Sequence, residues 1–270
     1  MQVVGYDTVS GTLLVSRGSG SDSRSDAAAE PGGDGSENEV DAVSLDPGTT
    51  LSWTLGDRHC AGTVYGRDSR AHVACGEPEA PYCASHRSTW VCARCTGTCL
   101  KDEMDCYDDH AVYLAAFSPD SFKVGVTKLW RLETRLREQG ADRAAHLYTV
   151  SNGRIARELE AEIATELSDF VRVDTKMDGL GERVDEAAWE AVLDGFDVLD
   201  RFAFDYGLDL TERPVGETIA TGTVRGTKGR ILVLDHAGST YAVDLRDLVG
   251  YELREGAVER DLQSSLGAFG

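Results

Sequence analysis

The sequence has no long apolar run and no recognisable export signal. None of its apolar stretches approaches the about 20 residues that a membrane-spanning helix requires. The first residues, MQVVGYDTVSG, contain neither the basic nor the apolar region of a secretory signal. We therefore expect a cytoplasmic protein with no membrane partner. Cytosolic thiols stay reduced, so clustered cysteines in such a protein favour a bound metal over a disulfide.

Lysine is scarce in a composition that is strongly acidic. The chain has 270 residues, a formal net charge of −20, and 22 arginines but only 5 lysines. A dense carboxylate shell with little lysine is typical of proteins from halophilic archaea, which must stay hydrated in molar salt. On that interpretation the charge reflects the solvent rather than a partner. The alternative is an ordinary acidic protein that avoids nucleic acid.

Cysteine is absent from most of the chain and concentrated in one segment. Residues 75–110, CGEPEAPYCASHRSTWVCARCTGTCLKDEMDCYDDH, hold six of the seven cysteines and two of the six histidines. Zinc takes four Cys or His ligands, and two of them can come from one turn when they are three positions apart. The pairs Cys83/His86 and Cys92/Cys95 have this spacing. The segment has few large apolar residues, so we expect a metal to organise it.

The candidate ligands divide into two predicted zinc sites. The first set is Cys60, Cys75, Cys83 and His86, and the second is Cys92, Cys95, Cys99 and Cys106. His59 and His110 are reserve ligands. Because protein side chains would supply every ligand, the zinc ions are predicted to be structural rather than catalytic. The alternatives are a single zinc site, reduced buried cysteines without a metal, and an iron–sulfur cluster bound through the Cys-x2-Cys-x3-Cys spacing.

The chain outside the cysteines predicts an α+β fold in which the two ends share a β element. Residues 1–16 and 49–58 alternate like strands. Between them, residues 17–48 hold eight acidic residues against two arginines and predict a disordered insertion. Residues 59–110 would form the zinc-binding module. Residues 206–270 alternate again, which predicts antiparallel strands that pair with the N-terminal ones.

Residues 111–205 predict an α/β core with a trailing helix. Two strands, 111–117 and 122–127, are joined by a Pro/Asp/Ser turn and followed by a helix that ends at Gly140. A third strand covers 144–151 and a second helix covers 153–170. A third helix is predicted over 185–207, with Asp185 as its N-cap.

The core segment resembles a GIY-YIG nuclease domain, chiefly the variants with KIG in place of YIG. The likeness lies in residues 110–170, in the strands HAVYLAAF and FKVGVTK, an arginine-bearing helix and a glutamate-bearing helix. With the Cys/His block, GTC at Gly97–Cys99 and EQGA at Glu138–Ala141, the arrangement also resembles a prokaryotic family known as domain of unknown function 2797. That family supplies no activity.

The GIY-YIG resemblance implies a phosphodiester site. In that family a tyrosine helps to activate water, an arginine stabilises the phosphate, and a glutamate holds a divalent metal. Tyr113 matches the first tyrosine and Gly125 the glycine that ends the second strand, while Lys123 replaces the second tyrosine. A lysine holds phosphate well but activates water poorly unless its pKa is lowered.

The resemblance leaves alternatives for the two helix positions. Arg135 matches the arginine best, with Arg131 as the alternative. Glu158 matches the glutamate best, and Glu160 and Glu162 lie in the same helix. The implied cofactor of a catalytic protein is Mg²⁺ or Mn²⁺.

A local excess of positive charge supports a nucleic-acid partner independently of the resemblance. Residues 122–157 contain eight basic and three acidic residues in a chain of net charge −20. The predicted phosphate contacts are Lys123, Lys128, Arg131, Arg135 and Arg137. We interpret the chain as a zinc-containing nucleic-acid-processing protein. It would be either an endonuclease or a non-catalytic nucleic-acid-binding or regulatory module. A protein-interaction zinc module, which would leave these arginines paired with surface carboxylates, is the third interpretation.

Overall fold

A computed structural model describes residues 1–18, 38–66, 70–87 and 106–256 of the chain. The strands are β1 (Gln2–Asp7), β2 (Thr12–Ser16), β3 (Asn38–Ser44), β4 (Thr50–Arg58), β5 (Thr63–Tyr65), β6 (Ala71–Val73), β7 (His110–Phe117), β8 (Ser121–Lys128), β9 (Arg143–Val150), β10 (Asp200–Ala203), β11 (Val215–Gly216), β12 (Ala220–Lys228), β13 (Ile231–His236), β14 (Ser239–Asp244) and β15 (Tyr251–Glu255). The helices are α1 (Leu132–Gln139), α2 (Gly153–Ile163), α3 (Val173–Asp178), α4 (Glu186–Leu193) and α5 (Leu245–Leu248), and a 3-10 turn at Leu129–Arg131 precedes α1. The fold is α+β, as predicted, and it is rich in strands.

The two ends of the described chain share one sheet of eleven strands. The order is β11-β14-β13-β12-β4-β15-β1-β2-β3-β6-β5. Strand β15 pairs with β1 and with β4, and β12 pairs with β4, all antiparallel. This confirms the predicted pairing of N- and C-terminal segments, with the addition that β11 runs parallel to β14. Side chains from both ends, such as Val3, Leu51 and Leu234, belong to one buried cluster.

The predicted disordered insertion needs correction in its last part, and the predicted zinc-binding module is linked to the large sheet. Within residues 17–48, the part Asn38–Ser44 forms β3 and pairs with β2. Val43 of this strand packs against the large core, and this apolar burial helps to order the strand in spite of its acidic residues. Residues 19–37 lie outside the described part of the chain. Strands β5 and β6 extend the same sheet edge through β3, so the predicted zinc module is joined to the sheet by strand pairing.

The predicted α/β core forms a second sheet, in the order β10-β9-β7-β8. The central strand β7 is buried along its whole length because helices cover both faces. Since side chains of a strand alternate between faces, Tyr113 and Phe117 pack towards α1, and Val112 and Leu114 pack towards α2 and α4. Helix α1 ends at Gly140, whose φ of 71° is the left-handed conformation predicted for that glycine.

The later helices differ from prediction in two places. Asp185 caps α4 as predicted, because its carboxylate accepts from the backbone N–H groups of Ala187 and Ala188 at 3.0 Å. The helix predicted over 185–207 nevertheless stops early, and its second half forms β10 on the open edge of β9. The helix predicted over 153–170 ends at Ile163. Helix α3 was not predicted. No helix in the described ranges is long and apolar enough to cross a membrane.

The two sheets meet at α3 and at the turn between β12 and β13. Helix α3 contributes Val173 and Met177 to a cluster with Ile231 and Val233 of β13. The turn closes tightly on the end of α1, where a Cβ atom on Gly229 would lie 2.7 Å from the backbone nitrogen of Gly140. Side chains from both sheets are therefore held next to each other at this junction.

Candidate metal centre and cationic pocket

The first predicted set of zinc ligands comes together in space. The ligand atoms of Cys60, Cys75, Cys83 and His86 all lie within 4.8 Å of one another. The Nδ1 atom of His86 is 3.2 Å from Cys83 Sγ and 3.4 Å from Cys60 Sγ. Ligands on a tetrahedral zinc are about 3.5–3.8 Å apart, given bond lengths of about 2.3 Å to sulfur and about 2.0–2.1 Å to nitrogen. The cluster could therefore hold a zinc ion.

Backbone hydrogen bonds shape this centre. The N–H groups of His86 and Arg87 both donate to the carbonyl oxygen of Cys83, at 3.0 and 2.8 Å, and form the turn that presents Cys83 and His86 together. The Cys60 sulfur accepts from the N–H groups of Cys83, at 3.3 Å, and Gly62, at 3.5 Å. Burial alone would raise the pKa of the Cys83 thiol. The hydrogen bonds with His86 outweigh this effect, and the net result is a pKa lowered to about 7. A thiol that ionises easily suits a metal ligand.

The centre is attached to the large sheet through strand β1. Gln2 of that strand donates from its Nε2 to the carbonyl oxygen of Gly250, at 3.1 Å, and to that of Cys60, at 3.4 Å. The His59 ring nitrogen Nδ1 lies 3.0 Å from the carbonyl oxygen of Cys75. His72, which was not among the predicted ligands, is fully buried and bonds to Ser16 Oγ and to the carbonyl oxygen of Ala61, at 2.8 Å each.

The second predicted zinc site stays a prediction. Cys92, Cys95 and Cys99 lie outside the described residues, and only Cys106 of that set is described. Cys106 lies beside the reserve ligand His110, since a Cβ atom on Gly153 would be 3.2 Å from Cys106 Cβ and 2.9 Å from His110 Nε2. Gly153 also donates its N–H to the carbonyl oxygen of Cys106, at 2.8 Å.

A cationic cavity of about 320 Å³ lies at the junction of the two sheets. The residues that line it are Tyr6, Thr8, Lys123, Arg135, Glu138, Gln139, Phe170, Val171, Val173, Lys176, Lys228, Arg230 and Ile231. We call it the junction pocket. Five of these side chains are cationic and one is acidic. Three of the five lysines of the whole chain are among them.

Three of the five cations in the junction pocket have carboxylate partners. Lys228 Nζ lies 2.7 Å from both carboxylate oxygens of Asp142. An Arg230 NH2 group donates to Asp244 at 2.6 Å. Arg135 donates to Glu138 at 3.1 Å, but Arg131 donates to the other oxygen of the same carboxylate at 2.9 Å. Arg135 is therefore only partly neutralised.

The other two cations, Lys123 and Lys176, have no carboxylate within ion-pair distance in the part of the chain that the structure describes. Lys176 Nζ donates to the carbonyl oxygen of Gln139 at 2.8 Å and lies 4.0 Å from the centre of the Phe117 ring. Burial, together with the positive charges of Lys123 and Arg230, lowers the pKa of Lys176 to about 7. Burial also lowers the pKa of Lys123, although the charge of Glu160 opposes this. The charged forms of Lys123 and Lys176 are therefore destabilised by burial and by the neighbouring cations.

The predicted hairpin tyrosine lies beneath the junction pocket. Tyr113 is 1 % exposed, and its hydroxyl oxygen accepts from Gln139 Nε2 at 2.7 Å. It pairs across the hairpin with Gly125, where a Cβ atom would lie 2.6 Å from the Tyr113 ring. Only glycine leaves room for the ring. Burial raises the pKa of Tyr113, so the phenol stays protonated at neutral pH and does not act as a base.

Of the three candidate glutamates, Glu160 lies nearest to these groups. Its charge acts on the pKa values of both Tyr113 and Lys123. Its carboxylate also accepts from Arg157 at 2.6 Å. Glu158, the preferred candidate from the sequence, is exposed and pairs with Arg154 at 2.9 Å, and Glu162 is exposed. The structure thus brings Tyr113, Lys123 and Arg135 together with Glu160 rather than with Glu158.

The remaining predicted phosphate contacts lie outside the lining of the junction pocket, and each has a carboxylate partner. Lys128 pairs with Asp108, Arg131 with Glu138 and Arg137 with Glu133. Their contact with nucleic acid stays a prediction.

Sequence reasoning missed Lys176, Lys228 and Arg230, which follow the GIY-YIG-like residues 110–170 in the chain. The scarcity of lysine was the available signal, since a lysine retained in such a sequence points to a specific use.

A second cavity, of about 940 Å³, is larger but carries the opposite charge balance. Five acidic residues and three basic ones line it, namely Asp142, Glu182, Glu186, Asp205 and Asp209 against Arg143, Arg183 and Lys228. This makes it a poor site for an anion. The junction pocket is therefore the better candidate for phosphate.

Comparison with known proteins places the chain in a family without assigning it an activity. No curated protein and no solved structure matches it. Residues 50–200 match the family model described as "Protein of unknown function (DUF2797)". The matched segment covers more than half of the chain and contains the Cys/His centre, Tyr113, Lys123 and Arg135. The chain therefore belongs to the DUF2797 family.

Proposed function

We propose that this protein binds nucleic acid through a phosphate group held in the junction pocket. The observation that carries the proposal is the convergence of five cationic side chains, including three of only five lysines, in a chain of net charge −20. Charge-assisted hydrogen bonds from Lys and Arg are the usual means of holding phosphate oxygens. In so acidic a protein, non-specific attraction to a polyanion is weak. Binding must therefore be concentrated at such a site.

The zinc ion fits this proposal as a structural brace. Strand β1 joins the two sites, because Gln2 at one end bonds to the backbone around Cys60 and Tyr6 near the other end lines the junction pocket. Zinc bound by Cys60, Cys75, Cys83 and His86 would fix this edge of the sheet by cross-linking segments that strand pairing alone holds weakly. The resemblance of the β7–β8 hairpin to GIY-YIG domains is further support for a phosphate site beside Lys123 and Arg135.

Binding of labelled single- and double-stranded DNA and RNA to zinc-loaded protein tests the proposal. We expect Lys123→Ala to weaken binding by about tenfold or more, since a charged hydrogen bond is worth about 1.5–3 kcal/mol. The matched control is Arg154→Ala, which also removes one positive charge but lies outside the pocket, paired with Glu158. Equal losses in both variants, or no binding by the parent protein, would reject the junction pocket as the site.

Hydrolysis of the bound phosphodiester is a second candidate function. The observation that favours it is the lowered pKa of Lys123, with Glu160 nearby, because a lysine of lowered pKa can accept a proton from water. Glu160 would hold Mg²⁺ or Mn²⁺, which would supply Lewis-acid stabilisation of the phosphate when bound. Cleavage assays should use both metals and molar KCl, since we also propose a halophilic origin. We expect Glu160→Gln to abolish cleavage and Glu158→Gln to retain it. If the parent protein cleaves nothing under any of these conditions, hydrolysis is refuted and only the binding function remains.

A further inference from the structure

We infer that the junction pocket binds the terminal phosphomonoester of a nucleotide, with the adjoining base against Phe170, rather than a phosphodiester within a strand. This inference rests on the proposed function and names its ligand class. The two chemical groups differ in charge, because a phosphomonoester approaches two negative charges near neutral pH whereas a phosphodiester has one. The same chemistry is present at the end of an oligonucleotide and in a mononucleotide.

The balance of charge in the pocket matches a dianion. Asp142 neutralises Lys228 and Asp244 neutralises Arg230, at 2.7 and 2.6 Å. Two lysines, Lys123 and Lys176, then remain without a carboxylate partner among the described residues, and both can be positively charged when a dianion is bound. Arg135 adds a fraction of a charge, because it shares Glu138 with Arg131. A single negative charge would leave this excess uncompensated in a partly buried site.

Two unpaired polar atoms at the pocket point to the same ligand. In the described ranges, the buried side-chain atoms that lack a hydrogen-bond partner are Arg230 Nε and Gln139 Oε1, and both residues line the junction pocket. A buried polar atom without a partner is unfavourable, so such atoms commonly mark a ligand site. The Arg230 N–H can donate to a phosphate oxygen. The Gln139 oxygen can accept from a hydroxyl group, and the sugar of a nucleotide offers one.

The shape of the pocket favours a chain end over a continuous strand. Side chains from β1, β8, α1, α3 and the β12–β13 turn line it, so the cations converge at a junction of two sheets rather than along one strand or helix. Its volume of about 320 Å³ is near the lower limit for small-ligand sites. Phe170 also lines the pocket, yet 60 % of it is exposed. An aromatic ring exposed beside a phosphate site suits stacking with a base.

The decisive experiment compares the termini of one oligonucleotide sequence. Binding of the zinc-loaded full chain is measured for single strands with a 5′-phosphate, a 3′-phosphate or only hydroxyl ends. Competition by a nucleoside monophosphate and by inorganic phosphate is measured in parallel. We expect at least one phosphorylated end to bind about tenfold more tightly than the hydroxyl-ended strand, because an extra charged contact is worth about 1.5–3 kcal/mol. The mononucleotide should compete better than inorganic phosphate.

Each other outcome contradicts a definite part of the argument. Equal affinity for all three strands, with binding intact, would refute the inference and leave the proposed function standing. No binding of any strand, with tight binding of a mononucleotide, would refute the proposed function and retain the monoester site. Equal competition by inorganic phosphate and mononucleotide would refute the contact with Phe170.

Variants separate the phosphate contact from the base contact. Lys176→Met keeps an unbranched side chain and removes the ammonium group that lies 4.0 Å from the centre of the Phe117 ring. Strands with phosphorylated ends should then bind about as weakly as the hydroxyl-ended strand. Phe170→Ala should weaken mononucleotide binding by at least about fivefold and leave inorganic phosphate unaffected. Arg154→Ala is the charge-matched control. A Lys176→Met protein that folds and keeps the full preference would overturn the assignment of Lys176.

Discussion

At the scale of the single residue, Lys176 is the most informative side chain. Most charged groups that are removed from water are paired with an opposite charge. Lys176 instead faces a carbonyl oxygen, an aromatic ring and four further cations, Lys123, Arg135, Lys228 and Arg230. Its ammonium form is disfavoured, since burial and the neighbouring cations lower its pKa to about 7, and a bound anion would relieve this penalty.

The sign of this shift predicts how ligand binding depends on pH. Since the pKa of Lys176 is about 7 in the free protein, a bound dianion must raise it and binding must take up a proton. Affinity for a nucleoside monophosphate should therefore fall severalfold between about pH 7.5 and about pH 8.5, where the phosphate itself stays dianionic. Calorimetry in buffers of different ionisation enthalpy measures the proton uptake directly.

One variant separates the titration of Lys176 from that of its neighbours. Lys176→Arg keeps a charge at all accessible pH values, so most of the pH dependence should disappear while the affinity at high pH rises. Lys123, whose pKa is also lowered, is expected to account for any remainder. Unchanged pH dependence in Lys176→Arg would show that another group, such as Lys123, carries the proton.

Gly125 offers a test of packing that is independent of ligand binding. A methyl group at this position would lie 2.6 Å from the Tyr113 ring, and the ring is enclosed on all sides. Gly125→Ala should therefore lower the free energy of unfolding by about 1–3 kcal/mol or more. Gly216→Ala is the control, since nothing lies within 4 Å of an added Cβ atom there. Denaturant titration should also show that Tyr113→Leu relieves the effect of Gly125→Ala, and simple additivity of the two would disprove the contact.

At the scale of the element, the Cys60–His86 segment should depend on metal for its order. It contributes two strands of three residues and a turn, which is too little regular structure to be stable without a cross-link. Chelation of zinc should therefore lower the melting temperature, and readdition should restore it. Cys83→Ser should lose one equivalent of zinc relative to the parent protein, whereas Ser85→Ala in the same turn should lose none. Unchanged zinc content in Cys83→Ser would eliminate this centre.

The elements that the sequence predicted well are those fixed by local chemistry. Strands β7 and β8, the end of α1 at Gly140, the N-cap Asp185 and the grouping of Cys83 with His86 all depend on residues a few positions apart. Strand β10 and strand β3 depend instead on an open sheet edge supplied by β9 and by β2. Local sequence patterns do not show which sheet edges are open. The sequence therefore predicts a helix where β10 forms and disorder where β3 forms.

The same distinction applies to the candidate site. Lys123 and Arg135 were found because a hairpin and a helix place them within one local unit. Lys176, Lys228 and Arg230 reach the junction pocket only because β12 pairs with β4 and α3 packs on β13. Glu160 rather than Glu158 lies near Lys123, because the rotation of α2 against the sheet decides which glutamate faces that lysine. Periodicity in the sequence does not determine this rotation.

At the scale of the whole molecule, the net charge of −20 predicts opposite responses of stability and binding to salt. Carboxylates repel one another across the surface, and screening shortens the range of that repulsion from about 10 Å at 0.1 M salt to about 3 Å at 1 M. The melting temperature should therefore rise steadily with KCl, and an uncharged osmolyte of equal osmolality should give a smaller increase. A melting temperature that is flat or falls with KCl would contradict both the repulsion argument and the halophilic interpretation.

Phosphate binding should weaken over the same range of KCl, but only moderately. A protein that contacts many phosphates along a strand loses affinity steeply with salt, because each contact releases counterions. In the complex that we propose, the cations of the junction pocket would contact one terminal phosphate that is partly shielded from solvent, so few counterions would be released. We expect the slope of log affinity against log salt to correspond to about one or two phosphates for a phosphorylated single strand. Salt should stabilise the fold and should reduce the affinity for the ligand only slightly. A pocket of this kind would therefore allow an acidic protein to bind nucleic acid in concentrated salt. A slope several times larger would instead indicate an extended interface that includes Lys128, Arg131 and Arg137.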